Sequence, residues 1–135
     1  MNYWLIKSDP ETYGWDEMKE DQETFWDGVR NYQARNFMKL MEIGDICLFY
    51  LSNKEKAICG EVVISKSFYQ DPTTDDDKWV AVDVKFKRTY QKLIYLKDIK
   101  ETEGLEQMHL VKNSRLSVSP VTPSEYKIIS NLEAS

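Results

Sequence analysis

One histidine, two cysteines and five scattered glycines leave this chain of 135 residues few of the parts from which catalytic sites are commonly built. Two cysteines, Cys47 and Cys59, can make neither a disulfide framework nor a four-ligand zinc site. Each lies in an apolar, strand-like run, where a thiol serves as a small buried hydrophobe. The single histidine, His109, stands between Met108 and Leu110 with no serine or cysteine elbow nearby, so no nucleophilic triad is legible. The glycines, at 14, 28, 44, 60 and 104, are too far apart for a phosphate-cradling loop. The longest apolar run, Ile46–Leu51, is far short of the ~20 residues of a membrane span. The start, Met1-Asn2-Tyr3-Trp4, has no signal-peptide pattern. A soluble protein without metal or cofactor is expected, cytoplasmic in a bacterium or nuclear in a eukaryote.

Charge is also unhelpful to one large class. The formal net charge of −5 is unsuited to a protein that coats duplex nonspecifically, although a local basic groove remains compatible with it. What the chain does have is aromatic residues: four Trp, eight Tyr and five Phe, enough to build a core and still line a pocket for a flat ligand. With 41% hydrophobic and 30% charged residues, the composition is that of one globular domain spanning 1–135.

The pattern alternates strands and short helices. Tyr3–Ile6 reads as a strand ended by Asp9-Pro10, and Trp15 to Asp21 as a short helix followed by a loop through Gly28. Asn31–Met41 carries apolar residues at helical spacing. Ile46–Leu51 and Ala57–Ile64 form a hairpin, and residues 71–78 form a loop too acidic to be buried. Its three consecutive Asp residues lack the alternation, central Gly and final Glu of a calcium loop. Trp79–Phe86 alternates as a strand, Leu96–Glu101 is helical and Leu116–Val118 is a short strand. Thr122-Pro123-Ser124-Glu125 opens a terminal helix with a capping box. This is an α+β arrangement around a mostly antiparallel sheet or barrel.

No pair among the 23 acidic residues stands out as a catalytic couple. The binding signal lies in Trp26–Asn36, where a Trp beside Gly28 is joined by two arginines and several amides. Indole can stack on a base, amides can read its edge and Arg can meet phosphate. The plainer reading puts Trp26 in the core and pairs Arg30 with an acid such as Asp27.

Residues Trp4–Pro10, Trp26–Asn36, Trp79–Val84 and Ser114–Val121, with the Thr-Pro-x-Glu helix start, together resemble the EVE domain family over essentially the whole chain. The resemblance implies a PUA-like fold, a curved, mostly antiparallel barrel-like sheet flanked by short helices, akin to the YTH domains that read methylated adenine in RNA. It further implies a non-enzymatic reader of a modified, flipped-out base, foremost a modified cytosine in DNA. RNA is the alternative polymer, and a hydrolase acting on nucleic acid or a nucleoside-like amide the alternative class. On this reading Ser8, Trp26, Asn31, Tyr32, Ser52, Asn53 and Trp79 line the base pocket, while Lys7, Arg30, Arg35 and Arg115 meet phosphates. Each has an ordinary counterpart. Ser8 can cap the Asp9-Pro10 turn and Asn31 the next helix; Trp79 can be core, Tyr32 helix packing and Arg115 a clamp on the terminal helix. Where the family usually has His-Ser-Asn, this chain has Leu51-Ser52-Asn53, which implies an altered pocket. Gly14 replaces the usual Ser or Thr, a weaker helix cap.

Overall fold

The computed structural model describes residues 1–135. Six strands, β1 (Tyr3–Ser8), β2 (Glu23–Trp26), β3 (Ile46–Leu51), β4 (Ala57–Gln70), β5 (Val80–Tyr95) and β6 (Val118–Val121), form one sheet in the order β2-β5-β4-β3-β1-β6. Five helices accompany them: α1 (Trp15–Asp21), α2 (Tyr32–Met38), α3 (Leu96–Glu101), α4 (His109–Lys112) and α5 (Pro123–Ala134). All strand pairs are antiparallel except β1 with β3, whose register runs from Tyr3 opposite Ile46 to Ser8 opposite Leu51. A parallel neighbour cannot be reached by a tight turn, and here the crossover carries α1, β2 and α2. The sheet keeps two edges, β2 and β6, so it is an open curl and not a closed barrel.

The period-2 alternation of strand side chains divides the interior into two cores. Trp4 and Ile6 of β1 and Cys47, Phe49 and Leu51 of β3 join one cluster with Trp15, Met18, Ala34 and Met38. Leu5, Leu48 and Tyr50 point the other way, into a cluster closed by Ile99, Leu105, Met108, Leu110 and Ile129. Both faces of β3 are therefore covered, and all six of its residues are buried. Trp15 packs so tightly on β4 that a Cβ at Gly60 would lie 2.3 Å from its Cζ2. The sheet register shifts at several points near this glycine.

The capping box of α5 forms as expected: the Thr122 hydroxyl accepts from the Glu125 amide, and the Glu125 carboxylate accepts from the Thr122 amide. Three expectations need correction. The strand read at Leu116–Val118 starts two residues later and runs as β6 to Val121, because it pairs with β1 from Ile6 opposite Val118 to Tyr3 opposite Val121. Residues 23–26, read as loop, form β2, because they pair with Val82–Lys85 of β5. Helix α4 falls where the sequence predicts no element, and it has no side-chain cap to announce it. The acidic segment does loop between β4 and β5, but Asp71 at its base is fully buried. No helix is long and apolar enough to cross a membrane.

Candidate functional site

A cavity of about 420 Å³ opens where the curl of the sheet fails to close. Lys7, Ser8 and Asp9 approach it from the end of β1; Thr24, Phe25 and Trp26 come from β2, with Asp27–Arg30 following. Three strands separate β2 from β1 in the sheet, yet both face this one space. Thr12, Tyr13 and Ser117 complete the wall.

Trp26 is half-buried and held edge-on by two rings, Tyr13 at 6.2 Å and Phe49 at 5.6 Å. Trp4 donates its indole N–H to Asp45 at 3.0 Å, and Trp15 donates to Thr89 at 2.9 Å. The N–H of Trp26 has no such protein partner and is not sealed from solvent. The Tyr13 hydroxyl donates to Asp21 at 2.8 Å; burial first, then this hydrogen bond, pushes its phenol up to about 12.

The segment that follows Trp26 is pinned by Asp71. The Gly28 amide donates to Asp71 Oδ2 at 2.8 Å and Arg30 Nη1 to the same oxygen at 2.9 Å, while the Thr73 amide and hydroxyl donate to Oδ1. Burial alone would raise the carboxyl's pKa. The hydrogen bonds from Thr73, Gly28 and Arg30 outweigh it and bring the pKa down to about 2. Gly28 sits at φ +75°, a backbone setting that glycine adopts readily. Arg30 thus pairs with Asp71, not Asp27, which instead lines the cavity.

The other expected residues divide. Ser8 lines the cavity and gives its hydroxyl proton to the Tyr13 carbonyl, which leaves its oxygen free to accept. Lys7 also lines it, but its ammonium donates to the Ser114 carbonyl at 2.6 Å, and burial lowers its pKa. Asn31 is the cap of α2, accepting from the Ala34 amide at 2.9 Å. Ser52 donates to the Ser8 carbonyl at 3.2 Å and Asn53 to Asp9 at 3.1 Å, so both buttress the β1 end from behind. Trp79 and Tyr32 leave the cavity altogether and lie against each other, ring centroids 5.1 Å apart. Arg35 lies over Tyr32 at 5.1 Å. Arg115 is exposed and forms no ion pair. Leu51 is 7% exposed in the first core with Trp15 and Cys59 and does not reach the Trp26 cavity. Its strand parity sends it inward with Cys47 and Phe49, so position 51 faces the first core and not this cavity.

Sequence reading missed Thr12, Tyr13, Thr24, Phe25, Asp27, Ser117 and the latch residue Asp71. For β2 a signal existed, since Thr24 and Trp26 alternate with the outward Glu23 and Phe25. Nothing local distinguishes Asp71 from the acids after it.

Against known proteins, the sequence profile of the EVE domain matches residues 2–132. Thymocyte nuclear protein 1 of Mus musculus is 38% identical over 98% of this chain and 74% of its own length. A solved protein of Agrobacterium tumefaciens is 40% identical and superposes with a TM-score of 0.95, covering 98% of this chain and 93% of that one. Human thymocyte nuclear protein 1, solved in complex with 5-methylcytosine-containing DNA, is 34% identical with a TM-score of 0.91, covering 100% of this chain and 99% of that one. A yeast YTH domain solved with N6-methyladenosine RNA, at 18% identity and a TM-score of 0.62, shares the fold. A profile spanning nearly every residue, together with relatives this similar over nearly the whole length, establishes that the chain belongs to the EVE domain family.

Proposed function

We propose that this protein is a non-enzymatic reader that receives one modified, flipped-out base, foremost a modified cytosine of DNA, in the cavity at Trp26. The observation that carries the reading is the half-buried indole, fixed by two rings and facing an open space with an unengaged N–H. About 420 Å³ falls in the ~300–1,000 Å³ range of small-ligand sites. Human thymocyte nuclear protein 1, bound to 5-methylcytosine DNA in its solved structure, supports the choice of ligand.

Extruding a base costs a few kcal/mol, and stacking it on an aromatic ring returns ~1–3 kcal/mol. Hydrogen bonds to the base edge must supply the remainder and the selectivity. Within the cavity, the Asp27 carboxylate suits an exocyclic amino group such as that of cytosine. The hydroxyls of Thr12, Thr24 and Ser117 and the oxygen of Ser8 can meet ring nitrogens and carbonyls. Lys7 and Arg30 sit at the wall with their charges engaged by Ser114 and Asp71, so within the cavity little of the affinity should come from phosphate.

For a binder over a hydrolase speaks the placement of the only imidazole. His109 lies on α4 with its ring against Phe37 at 5.9 Å, outside the cavity. The test is a titration of short oligonucleotides, each carrying one modified or unmodified base, with DNA and RNA versions and a check for product. Preference for one modification, lost in Trp26→Ala while the domain stays folded, is the expected result. Equal binding of every base, or turnover, would end the reading. A ribose preference would move the ligand to RNA.

A further inference from the structure

The geometry points to a second nucleotide subsite, outside the base cavity, that holds the strand flanking the extruded base and is built on a ladder of cations and rings. The inference rests on the reading that the cavity takes a base from nucleic acid. Arg30 lies over Trp79 at 5.5 Å, Trp79 lies 5.1 Å from Tyr32 at an interplanar angle of 32°, and Arg35 lies over Tyr32 at 5.1 Å. The ladder begins at the cavity, because Arg30 is also one of its wall residues. It continues along α2: Tyr32, Arg35 and Lys39 are spaced at i, i+3 and i+7, one face of a helix. Lys39 in turn lies 5.9 Å from the centroid of Phe68, an exposed ring on β4.

Two properties make this track a ligand surface instead of ordinary packing. Tyr32 is 55% exposed and Phe68 45% exposed, so large rings remain open to water on a protein that has an interior for them. Arg35 and Lys39 have no carboxylate within ion-pair distance, in a chain of net charge −5. Arg35 instead bonds neutral partners, the Asn36 side-chain oxygen at 2.8 Å and the Lys78 carbonyl at 3.3 Å. Rings and guanidinium planes for stacking, with free cations along one line, suit single-stranded nucleic acid. The spacing of Tyr32, Arg35 and Lys39 on one helix face directs the strand along α2. From Tyr32 to Lys39 the helix rises about 10 Å. The occupant is an unpaired or locally opened strand, since rings are buried between bases in a closed duplex.

The experiment uses the full chain and two probes, a short DNA strand with one central 5-methylcytosine and the same strand unmodified, at low salt. Tyr32→Ala should weaken both probes by the same roughly 5- to 150-fold, the effect of one lost stacking partner, and leave the methyl preference unchanged. Tyr32→Phe should bind both probes as the wild type does. Arg35→Gln combined with Lys39→Gln should make the salt dependence of log K shallower by about 1.4, at ~0.7 per phosphate contact on a single strand. This second arm decides the matter if Tyr32→Ala does not fold. Unchanged binding of the unmodified strand by Tyr32→Ala, a selective loss of the methylated one, or an unaltered salt slope in the double variant would each overturn the ladder. Failure of the parent reading looks different: the wild type would bind both probes alike, whatever Tyr32 does.

Discussion

Replacing Asp71 by Asn is the sharpest test of how the Trp26 loop is held. The carboxylate is fully buried and each of its oxygens takes two donors, Thr73 on one side and Gly28 with Arg30 on the other. An amide at this position must turn its NH₂ toward one of those pairs, so about two charge-assisted bonds are lost. Bonds to a charged group contribute about 1.5–3 kcal/mol each, and partial rearrangement should bring the net loss to about 3 kcal/mol. Linkage gives a similar figure. Lowering the pKa from 3.8 to about 2, at about 1.4 kcal/mol per pH unit, corresponds to about 2.5 kcal/mol of folding free energy. Because the folded pKa lies below the unfolded one, this contribution is complete above about pH 4 and fades as pH falls through 2. Urea unfolding, followed by tryptophan fluorescence, should show a wild-type advantage of about 3 kcal/mol at pH 7, shrinking to under about 1 kcal/mol near pH 2. An advantage that stays constant from pH 5 to pH 2, or none at pH 7, would refute the latch.

Gly60→Ala should destabilise by roughly 3 kcal/mol or more, since its Cβ would meet Trp15 at 2.3 Å and the Arg88 carbonyl at 2.6 Å; Gly28→Ala, which meets no atom within 4 Å but sits at φ +75°, should cost only about 1 kcal/mol. Denaturant midpoints separate the two. Thr122→Ala removes half of the α5 capping box and should lower stability by about 1 kcal/mol, read as a small drop in thermal midpoint. Burial raises the thiol pKa of both cysteines, that of Cys59 to about 12. A thiol reagent at pH 8 should therefore label the native protein far more slowly than the urea-unfolded chain, and equal rates would contradict the burial.

Much of the frame was legible because its signals are local. Apolar runs marked β1 and β3, period-2 alternation marked β5, and the Thr-Pro-x-Glu start fixed where α5 begins. What stayed hidden depended on distant partners. Strand β2 exists through pairing with residues some sixty positions away, from Trp26 opposite Val82 to Glu23 opposite Lys85. Asp71 is buried only because Gly28 and Arg30 come to it from another part of the fold. The candidate site divides in the same manner. Trp26, Ser8, Lys7 and Arg30 were legible as neighbours of one space, whereas the separation of Tyr32 and Trp79 from it depends on which way two rings turn, a matter of side-chain direction that no spacing rule encodes. Leu51 illustrates the converse, since its parity along β3 follows from the sequence once the buried partners of Phe49 are known.

The long crossover between β1 and β3 has a kinetic consequence. Its middle strand docks at the opposite margin of the sheet, so Trp26 and Ser8 can face each other only after β5, β4 and β3 have assembled between them. Non-local pairings of this kind are formed late, after the entropy of bringing remote segments together has been overcome. The Trp26 cavity therefore depends on the assembled sheet, and a partly paired chain, however much helix or hairpin it contains, lacks it.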